Sequence, residues 1–317
     1  SQRRRLLIDV WGMPSKRNPA TDVLVAPEFL ETFLNMLEKR GIHRVEMLKD
    51  DISRDILRER RHLERSSRRA KRSFSAMEFD VENYHSYNEM VDFMRKIAGE
   101  RPDLVKLLNI SRSFEGRPLY GVKLVSEYGK DPTITSSLNR FDWYIIPQVN
   151  PDGYEYSRIS DRLWRKTRSR NITINKWCVG ADANRNWGHR LRDLVTWQIP
   201  NLVIYISLHS YGQLLLSPWG YTQARPDNYA DQVAFLKHSC RAARIAVEAM
   251  RNATGAIYNY GTIAELMCHI TDPASGTSID YMQDRGVPYI FGVELRPLDA
   301  YDTYAFSLPP RFIRPTG

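Results

Sequence analysis

Residues 202–211 read LVIYISLHSY, an apolar run rich in β-branched and aromatic residues that leads into His209. A run this short and this uniformly apolar predicts a strand buried on both faces, which requires helices on both sides of its sheet. In open α/β sheets the functional site lies beyond the carboxyl ends of the strands, which is where His209 falls. A purely structural histidine fits the same position, so this stretch alone leaves both interpretations open.

Strand-like and helix-like segments alternate on either side of this run. Amphipathic helices are predicted after the capping box Ser86–Glu89 and from 227 to 250, where apolar residues recur every three or four positions. The other strands are predicted at 104–110, 119–125, 141–149 and 287–293. This alternation predicts an α/β fold whose mixed, largely parallel sheet is flanked by helices on both faces.

The first 50 residues predict a small α/β unit of their own. A strand at 23–26 leads into a helix with an apolar face, which ends at Gly41 before a second predicted strand at 42–48. Nine Lys/Arg and three Asp/Glu follow between Arg54 and Arg72, and that segment closes with the R-x-K-R string of a dibasic processing site. We therefore expect a processing protease to cut at Arg72/Ser73, with a pro-segment at 1–72 and the main domain at 73–317.

Composition limits the classes of protein that the chain can belong to. Its 317 residues, 42% of them hydrophobic, suit one large globular domain with a smaller one, and no stretch is apolar enough to cross a bilayer. Most of the net charge of +9 lies in the segment before Arg72 and not on a docking face, which argues against nucleic-acid binding. The absent initiator methionine leads us to expect a removed signal peptide or a partial gene product.

Cysteines and glycosylation triplets favour a secreted protein. The three cysteines have no metal-binding spacing, and an odd number cannot all pair within one chain. Three Asn-x-Ser/Thr sequons are present, with acceptors at Asn109, Asn171 and Asn252. We expect an extracellular monomer that contacts neither membrane nor nucleic acid.

Charged residues stand at or near the ends of the predicted strands. Glu294 follows the strand at 287–293, while Arg165 and Arg185 lie close to tryptophans in two polar loops. A pocket with a histidine, a carboxylate and several Arg/Asn side chains suits an anionic substrate and metal-assisted or acid–base chemistry. Structural salt bridges would explain the same residues, so the residue types define a class of chemistry and no more.

Six short motifs stand in one order along the chain. They are NPDG at 150–153, RLWRKTR at 162–168, DANRNW at 182–187, SLHSY at 207–211, ASGTSID at 274–280 and ELR at 294–296. In these motifs the chain resembles the zinc metallocarboxypeptidases of the pancreatic A/B type. The segment before Arg72 is similar to that family's activation pro-segment, so the resemblance covers nearly the whole chain and implies a secreted zymogen.

The resemblance implies roles for three reacting groups. His209 matches the third ligand of a catalytic Zn²⁺, for which a neutral imidazole is suited. Glu294 matches the general base that takes a proton from the metal-activated water. Arg165 matches the arginine that stabilises the developing oxyanion.

The resemblance also implies how the partner, a peptide or protein C-terminus, is held. Asn184 and Arg185 match the pair that grips the terminal carboxylate, a geometry suited to the forked guanidinium. Tyr211 matches a subsite residue beside the cleavage point, and Ile279 matches the floor of the specificity pocket. An apolar floor implies hydrolysis of C-terminal aromatic and aliphatic residues.

The chain departs from the family pattern at three places. The family carries a strand, an H-x-x-E string with its first two zinc ligands, and a helix after the segment matched by residues 120–125. In this chain Val125-Ser126 is followed at once by Glu127-Tyr128, so all three elements are missing from the sequence. A second gap after Trp187 removes the loop that carries the disulfide partner of Cys178. A short insertion at 268–272 replaces the tyrosine that caps the substrate. Such block-like changes are typical of skipped or misjoined exons.

No other string supplies the missing ligands convincingly. The letters H-x-x-E recur at 43–46, but on the strand predicted there His43 and Glu46 would face opposite sides. His189 and His269 lie nearer the motifs in the sequence. His209 is the one ligand that the motifs supply, and a catalytic zinc site needs about three. The alternatives to hydrolysis are therefore a non-catalytic pseudoenzyme or a splice or gene-model fragment that at most binds peptide C-termini.

Overall fold

The computed structural model divides the chain into two compact units. One unit comprises residues 1–52 and 203–308, and the other comprises residues 53–202 and 309–317. The structure describes residues 8–12, 20–70, 79–124, 132–173, 177–188, 199–232, 241–267, 274–298 and 304–316. The processing site at Arg72/Ser73 and the junction at Val125 lie outside the described residues, so the predictions made for them stand as predictions.

The first unit begins with a hairpin followed by a helix. Strand β1 (Ile8–Gly12) pairs antiparallel with β2 (Asp22–Val25), and helix α1 (Leu30–Lys39) follows a 3₁₀ turn at Pro27–Phe29. Gly41 takes the left-handed conformation, at φ +73°, that ends a helix. The strand predicted at 42–48 is wrong, because residues 42–47 form no strand and their side chains are exposed.

A four-stranded mixed sheet makes up most of the first unit. Its strands, in spatial order, are β6 (Ile204–Ser210), β9 (Tyr289–Leu295), β7 (Leu214–Ser217) and β8 (Asn259–Thr262). Pairing is parallel at β6–β9 and β7–β8 and antiparallel at β7–β9. The described helices of this unit that follow α1 are α6 (Tyr229–Gln232), α7 (Arg241–Thr254), α8 (Ile263–Leu266) and α9 (Ser278–Asp284).

Strand β6 is not buried on both faces, and that prediction is corrected. Its residues alternate between half-buried and exposed, and Leu208 is 67% exposed on the outer face. Among the described residues β6 pairs only with β9, so it is an edge strand. An apolar side chain stays exposed on a face that no neighbouring strand or helix covers. The uniformly apolar run therefore matches what a central strand would need, but the part of the chain described here gives it one neighbour.

The core of the first unit lies under helix α7. Ala243 and Val247 of that helix pack against Leu215 of β7 and Phe291 and Val293 of β9. Spacing of four places Ala243 and Val247 on one helix face, which confirms the amphipathic pattern in this part of the predicted helix. The residues of that pattern at 233–240 lie outside the described residues.

The second unit contains a three-stranded antiparallel sheet in the order β3-β4-β5. Its strands are β3 (Val105–Arg112), β4 (Pro118–Leu124) and β5 (Trp143–Ile145). Its helices are α2 (Ser53–Ala70), α3 (Tyr87–Glu100), α4 (Pro132–Arg140), α5 (Pro151–Ile159) and, after a 3₁₀ turn, α10 (Ile313–Thr316).

Helix α3 provides the core of the second unit. Its capping box is confirmed: the Ser86 hydroxyl accepts from the Glu89 N–H while the Glu89 carboxylate accepts from the Ser86 N–H. Tyr87, Val91 and Met94 then pack against the sheet. The mixed α/β class is therefore confirmed. None of the described helices is long and apolar enough to span a membrane.

Candidate functional site

His209 lies near the carboxyl end of β6, on the half-buried face of that strand. In the parallel register it stands beside Glu294 of β9, so the predicted ligand and the predicted general base occupy neighbouring positions at one end of the sheet. The Ser207 hydroxyl, two residues back on the same face, hydrogen-bonds the His209 ring at Nε2 over 2.8 Å. The structure thus brings His209 and Glu294 together and holds one ring nitrogen in a contact with Ser207.

A polar chain continues behind His209 along the inner face of β6. The Tyr205 hydroxyl hydrogen-bonds the side chains of Ser278 and Ser207, so the latter links Tyr205 to His209. Burial raises the pKa of Tyr205, and the two hydrogen bonds oppose that rise only in part. Tyr205 therefore stays neutral, and through Ser207 it is linked to the His209 ring.

These residues do not fit a catalytic zinc ion. A catalytic site needs about three protein ligands, and among the described residues no group of three His, Cys, Asp or Glu side chains could hold a metal. His43 and Glu46 are exposed on irregular chain, so they are no substitute pair. His189 and His269 lie outside the described residues. The donor set around His209 is therefore that of an oriented histidine beside a carboxylate.

Tyr211 is engaged by the N-terminal hairpin. Its hydroxyl donates to the Asp22 carboxylate of β2 over 3.1 Å. The Phe306 ring lies edge-on to Tyr211, with centroids 4.9 Å apart, and edge-on to Trp11 of β1 at 5.4 Å. The residue that the resemblance assigns to the substrate is thus bonded to the segment that the resemblance assigns to the pro-segment.

Ile279 is a buried residue in the first turn of α9, with 3% of its surface exposed. It faces Gly292 of β9, where a Cβ would lie 3.6 Å from the Ile279 Cδ1 atom, an ordinary van der Waals contact. Ile279 therefore lies against the β9 backbone at Gly292 at normal packing distance. An apolar group at this depth is suited to the floor of an apolar pocket.

Asp280, the neighbour of Ile279, is a buried acid that sequence reasoning did not single out. Its carboxylate accepts from the Gly220 N–H, at 2.9 Å to Oδ1 and 3.2 Å to Oδ2. Burial raises the pKa of Asp280 to about 6, although the bond from Gly220 opposes the rise. Gly220 follows β7, some 60 residues earlier, so no local pattern could have revealed the pair.

In the second unit, Asp182 organises the predicted anion-binding residues. Its carboxylate accepts from Arg165 Nε at 2.8 Å and from the Asn184 N–H at 3.0 Å. Burial would raise the pKa of Asp182, but Arg165 outweighs it and the net shift is downward. Arg185 is exposed, and its Nη1 atom donates to the Asn184 carbonyl at 2.9 Å. The structure therefore links Arg165, Asn184 and Arg185 through Asp182, whose role as a hub the sequence had not indicated.

Gly153 holds the chain beside Arg165 in place. It lies in the first turn of α5, where its N–H donates to the Asn150 side chain, and that side chain donates to the Lys166 carbonyl at 3.1 Å. A Cβ at Gly153 would stand under 3.0 Å from Asn150 and from the Lys166 carbonyl oxygen. The cap and the Lys166 backbone would both have to move to admit a methyl group.

We therefore expect Gly153→Ala to lower the free energy of unfolding by about 1–3 kcal/mol, the usual cost of overpacking. Gly99→Ala in α3 is the matched control, because a Cβ there meets nothing within 4 Å. It should raise stability by roughly 0.5–1 kcal/mol through helix propensity. Urea unfolding of both variants measures the difference, and equal values would contradict the clash at Gly153.

Comparisons with known proteins agree with this description. The family profile "Zinc carboxypeptidase" matches residues 90–126, 122–196 and 189–317, and "Carboxypeptidase activation peptide" matches residues 1–59. Bovine carboxypeptidase A1 (Bos taurus) is 32% identical, covering 98% of this chain and 84% of that protein, and carboxypeptidase A2 of Mus musculus is 31% identical at the same coverage. The chain belongs to the zinc carboxypeptidase family.

Solved structures of similar fold support the architecture. Thrombin activatable fibrinolysis inhibitor aligns with a TM-score of 0.79 and 25% identity, covering 99% of this chain and 89% of that one. Carboxypeptidase A from Helicoverpa armigera aligns with a TM-score of 0.73 over 97% of this chain and 87% of its own, at 21% identity, which shows the fold alone.

The alignments break where the sequence departs from the family pattern. The profile matches in three overlapping segments that meet at 122–126 and 189–196, next to the gaps predicted after Val125 and Trp187. The alignment with bovine carboxypeptidase A1 runs over 375 positions against 317 residues here, so at least 58 positions have no counterpart in this chain. An excess of this size is what the predicted block-like losses would produce.

Proposed function

We propose that this chain binds the C-terminal residue of peptides or proteins without hydrolysing it at the rate of an intact zinc carboxypeptidase. The observation that carries the proposal is the donor set around His209: Ser207 engages the ring, Glu294 stands beside it, and no three-ligand group exists in the described part of the chain. The H-x-x-E string is also missing where the chain passes from Val125 to Ser126.

Each of the two units carries one group that supports binding by itself. Arg185 and Asn184 suit a terminal carboxylate, because Asp182 and the backbone hold them while the guanidinium stays exposed. Ile279 suits an apolar or aromatic side chain, because it is a buried hydrocarbon group with no charge to pair with a basic residue. We therefore propose a preference for C-terminal Phe or Leu over Lys or Arg.

The proposal includes the route by which the protein reaches its ligand. An activation peptide, three sequons and the R-x-K-R string favour secretion as a zymogen that is cut at Arg72/Ser73 and acts as an extracellular monomer. The bond between Tyr211 and Asp22 supports a need for that cut, since the hairpin occupies a residue assigned to the ligand. We expect the uncut chain to bind C-terminal peptides more weakly than the cut chain.

Calorimetric titration of the cut protein with an N-blocked Gly-Phe dipeptide tests the proposal. Arg185→Gln should weaken binding roughly ten- to hundredfold, because hydrogen bonds to a charged group contribute about 1.5–3 kcal/mol. Arg170→Gln, which removes another exposed arginine of the same unit, is the charge-matched control and should bind as the wild type does. The C-terminal amide of the dipeptide lacks the charged carboxylate, so the wild type should bind it weakly. Its affinity should be no higher than that of Arg185→Gln for the free acid.

Two results would contradict the proposal. Release of free Phe at a rate comparable to that of bovine carboxypeptidase A1 would show a working enzyme. Equal affinity for the free acid and its amide would show that the terminal carboxylate is not recognised. A gentle change in the pocket, Ile279→Val, adds a second readout: it should alter the ratio of Phe to Leu affinity while leaving carboxylate recognition intact.

A further inference from the structure

The three sequons of this chain lie in three different local structures. Asn109 is on β3 opposite Tyr120, and the antiparallel ladder with β4 shifts register between Asn109 and Ser111 of the same triplet. Asn252 is on α7, where the Thr254 hydroxyl of the same triplet donates to the Met250 carbonyl at 2.8 Å. Asn171 is in a turn of the loop that follows the RLWRKTR motif. The acceptor asparagine is exposed in all three, so local geometry is what separates them.

In the turn at 171–173 the two chemical groups that define a sequon face each other. The Thr173 hydroxyl donates to the Asn171 side-chain oxygen at 2.5 Å, and the Thr173 N–H donates to the same oxygen at 3.2 Å. This is a local turn closed by an asparagine side chain, and it spans only two residues. It therefore needs no distant partner and can form while the rest of the chain is still unfolded.

The other two triplets belong to elements that form early and engage their groups differently. Helices and hairpins form within microseconds, whereas a nascent chain lengthens by about 5–20 residues per second. The hydroxyl at Thr254 is engaged by the helix, and it also accepts from the Ala256 N–H at 3.2 Å. At Asn109 the triplet would have to break its pairing with β4 before the chain could turn there. The loop at Asn171 presents its triplet without such a cost.

The surroundings of Asn171 suit a bulky polar substituent. Ile172 is 75% exposed and Trp177 is 82% exposed. Exposed apolar residues favour self-association, and an attached oligosaccharide is large, solubilising and confined to surfaces. A glycan here would project into solvent and would cover apolar side chains of its own loop.

We propose that Asn171 carries an N-linked oligosaccharide and that Asn109 and Asn252 do not. The donor is a lipid-linked oligosaccharide diphosphate. A bond forms between Asn171 Nδ2 and the first sugar carbon, the bond from that carbon to the diphosphate oxygen breaks, the lipid diphosphate leaves, and Nδ2 loses one proton. The inference rests on the secretory route proposed above, and the test below separates the two.

The full chain is expressed in mammalian cells with a secretory signal peptide added before it and an acceptor triplet appended after it. The secreted protein is then treated with peptide-N-glycosidase in heavy-oxygen water. The appended triplet reports translocation, so a failed secretory route cannot be mistaken for a failed site. Mass spectrometry should find heavy aspartate at position 171 and unmodified asparagine at 109 and 252. Asn171→Gln and Thr173→Val should each remove one step of the mobility shift, whereas Thr173→Ser should keep it.

Asn109→Gln and Asn252→Gln are the matched controls and should leave the shift unchanged. Modification of the appended triplet without modification of Asn171 would overturn the proposal. Heavy aspartate at 109 or 252 would overturn its selectivity. None of these readouts depends on peptide binding or hydrolysis, so they stand apart from the fate of the proposed function.

Discussion

After incubation with excess Zn²⁺ and gel filtration, this protein is expected to retain far less than one zinc ion per chain. The residues described around His209 offer one imidazole, engaged by Ser207, and one carboxylate from Glu294. Zinc sites in proteins hold the metal through about three or four such ligands, and their binding free energy reaches about 10–16 kcal/mol when the set is complete. Removing most of the set removes most of that free energy.

The rate of peptide hydrolysis is expected to be low because the protein retains little zinc. Enzymes accelerate reactions by about a millionfold or more, and the activation of water at a zinc site is a major part of that for this class. Release of Phe from an N-blocked Gly-Phe dipeptide should therefore be lower than that of bovine carboxypeptidase A1 by a factor of about a million. Elemental analysis and the release assay, run side by side on both proteins, measure the two effects.

His209→Ala provides the internal control for this expectation. In a chain without a zinc site the substitution should change neither the small amount of retained zinc nor the residual release of Phe. One zinc per chain that is lost in His209→Ala would show that ligands elsewhere complete the site, and it would overturn the non-catalytic interpretation.

Asp280→Asn is expected to change how the free energy of unfolding depends on pH. Burial raises the pKa of Asp280 from 3.8 to about 6 in the folded protein. In the unfolded chain the carboxyl keeps its ordinary pKa, so the folded state binds the proton more tightly. The stabilising contribution of the protonated acid is complete below about pH 4 and is lost as the pH rises through about 6.

The size of the effect follows from the same numbers. A pKa that rises from 3.8 to about 6 corresponds to at most about 3 kcal/mol between acid and neutral pH. The asparagine side chain cannot ionise, so the free energy of unfolding of the variant minus that of the wild type should increase by roughly 2 kcal/mol between about pH 4.5 and pH 7.5. Urea unfolding at about pH 4.5, 6 and 7.5 measures this difference, in which the titration of unrelated groups cancels.

Asp284→Asn is the matched control because it removes an exposed acid of the same helix. Its only coupling to the effect is that Asp284 contributes to the raised pKa of Asp280. We expect its difference from the wild type to vary with pH by about 0.5 kcal/mol or less, the usual scale of a surface substitution. An Asp280→Asn difference as flat as that of the control would show that this carboxyl titrates normally in the folded state.

Asp280 is a buried acid that lowers the free energy of unfolding at neutral pH, and its contacts give a physical reason for keeping it. The carboxylate holds the Gly220 backbone at the first turn of α9, and a Cβ at Gly220 would meet the Ala274 carbonyl oxygen at 2.7 Å. The fold thus accepts a destabilising ionised group where it fixes the Gly220 backbone against the first turn of α9. Such a trade of stability for a defined site geometry is a common feature of functional sites.

Features that depend on neighbours in the chain were predictable from sequence. The capping box at Ser86 and the amphipathic face around Val247 follow from spacing over a few residues. Strand ends placed His209 and Glu294 near each other, since carboxyl ends of parallel strands meet at one edge. By contrast the strand expected at 42–48 is absent, because alternation alone cannot supply the partner that a strand requires.

The sequence by itself indicated the family and the mixed α/β class, and it supplied the candidate site residues and the missing H-x-x-E ligands as predictions. Only the tertiary structure decided that β6 is buried on one face and that Asp182, Asp280 and Asp22 are the partners of Arg165, Gly220 and Tyr211. The reason is physical: periodicity reports which residues share a face of one element. A hydrogen bond or a covered strand edge depends on segments that are distant in the chain and meet only when it folds.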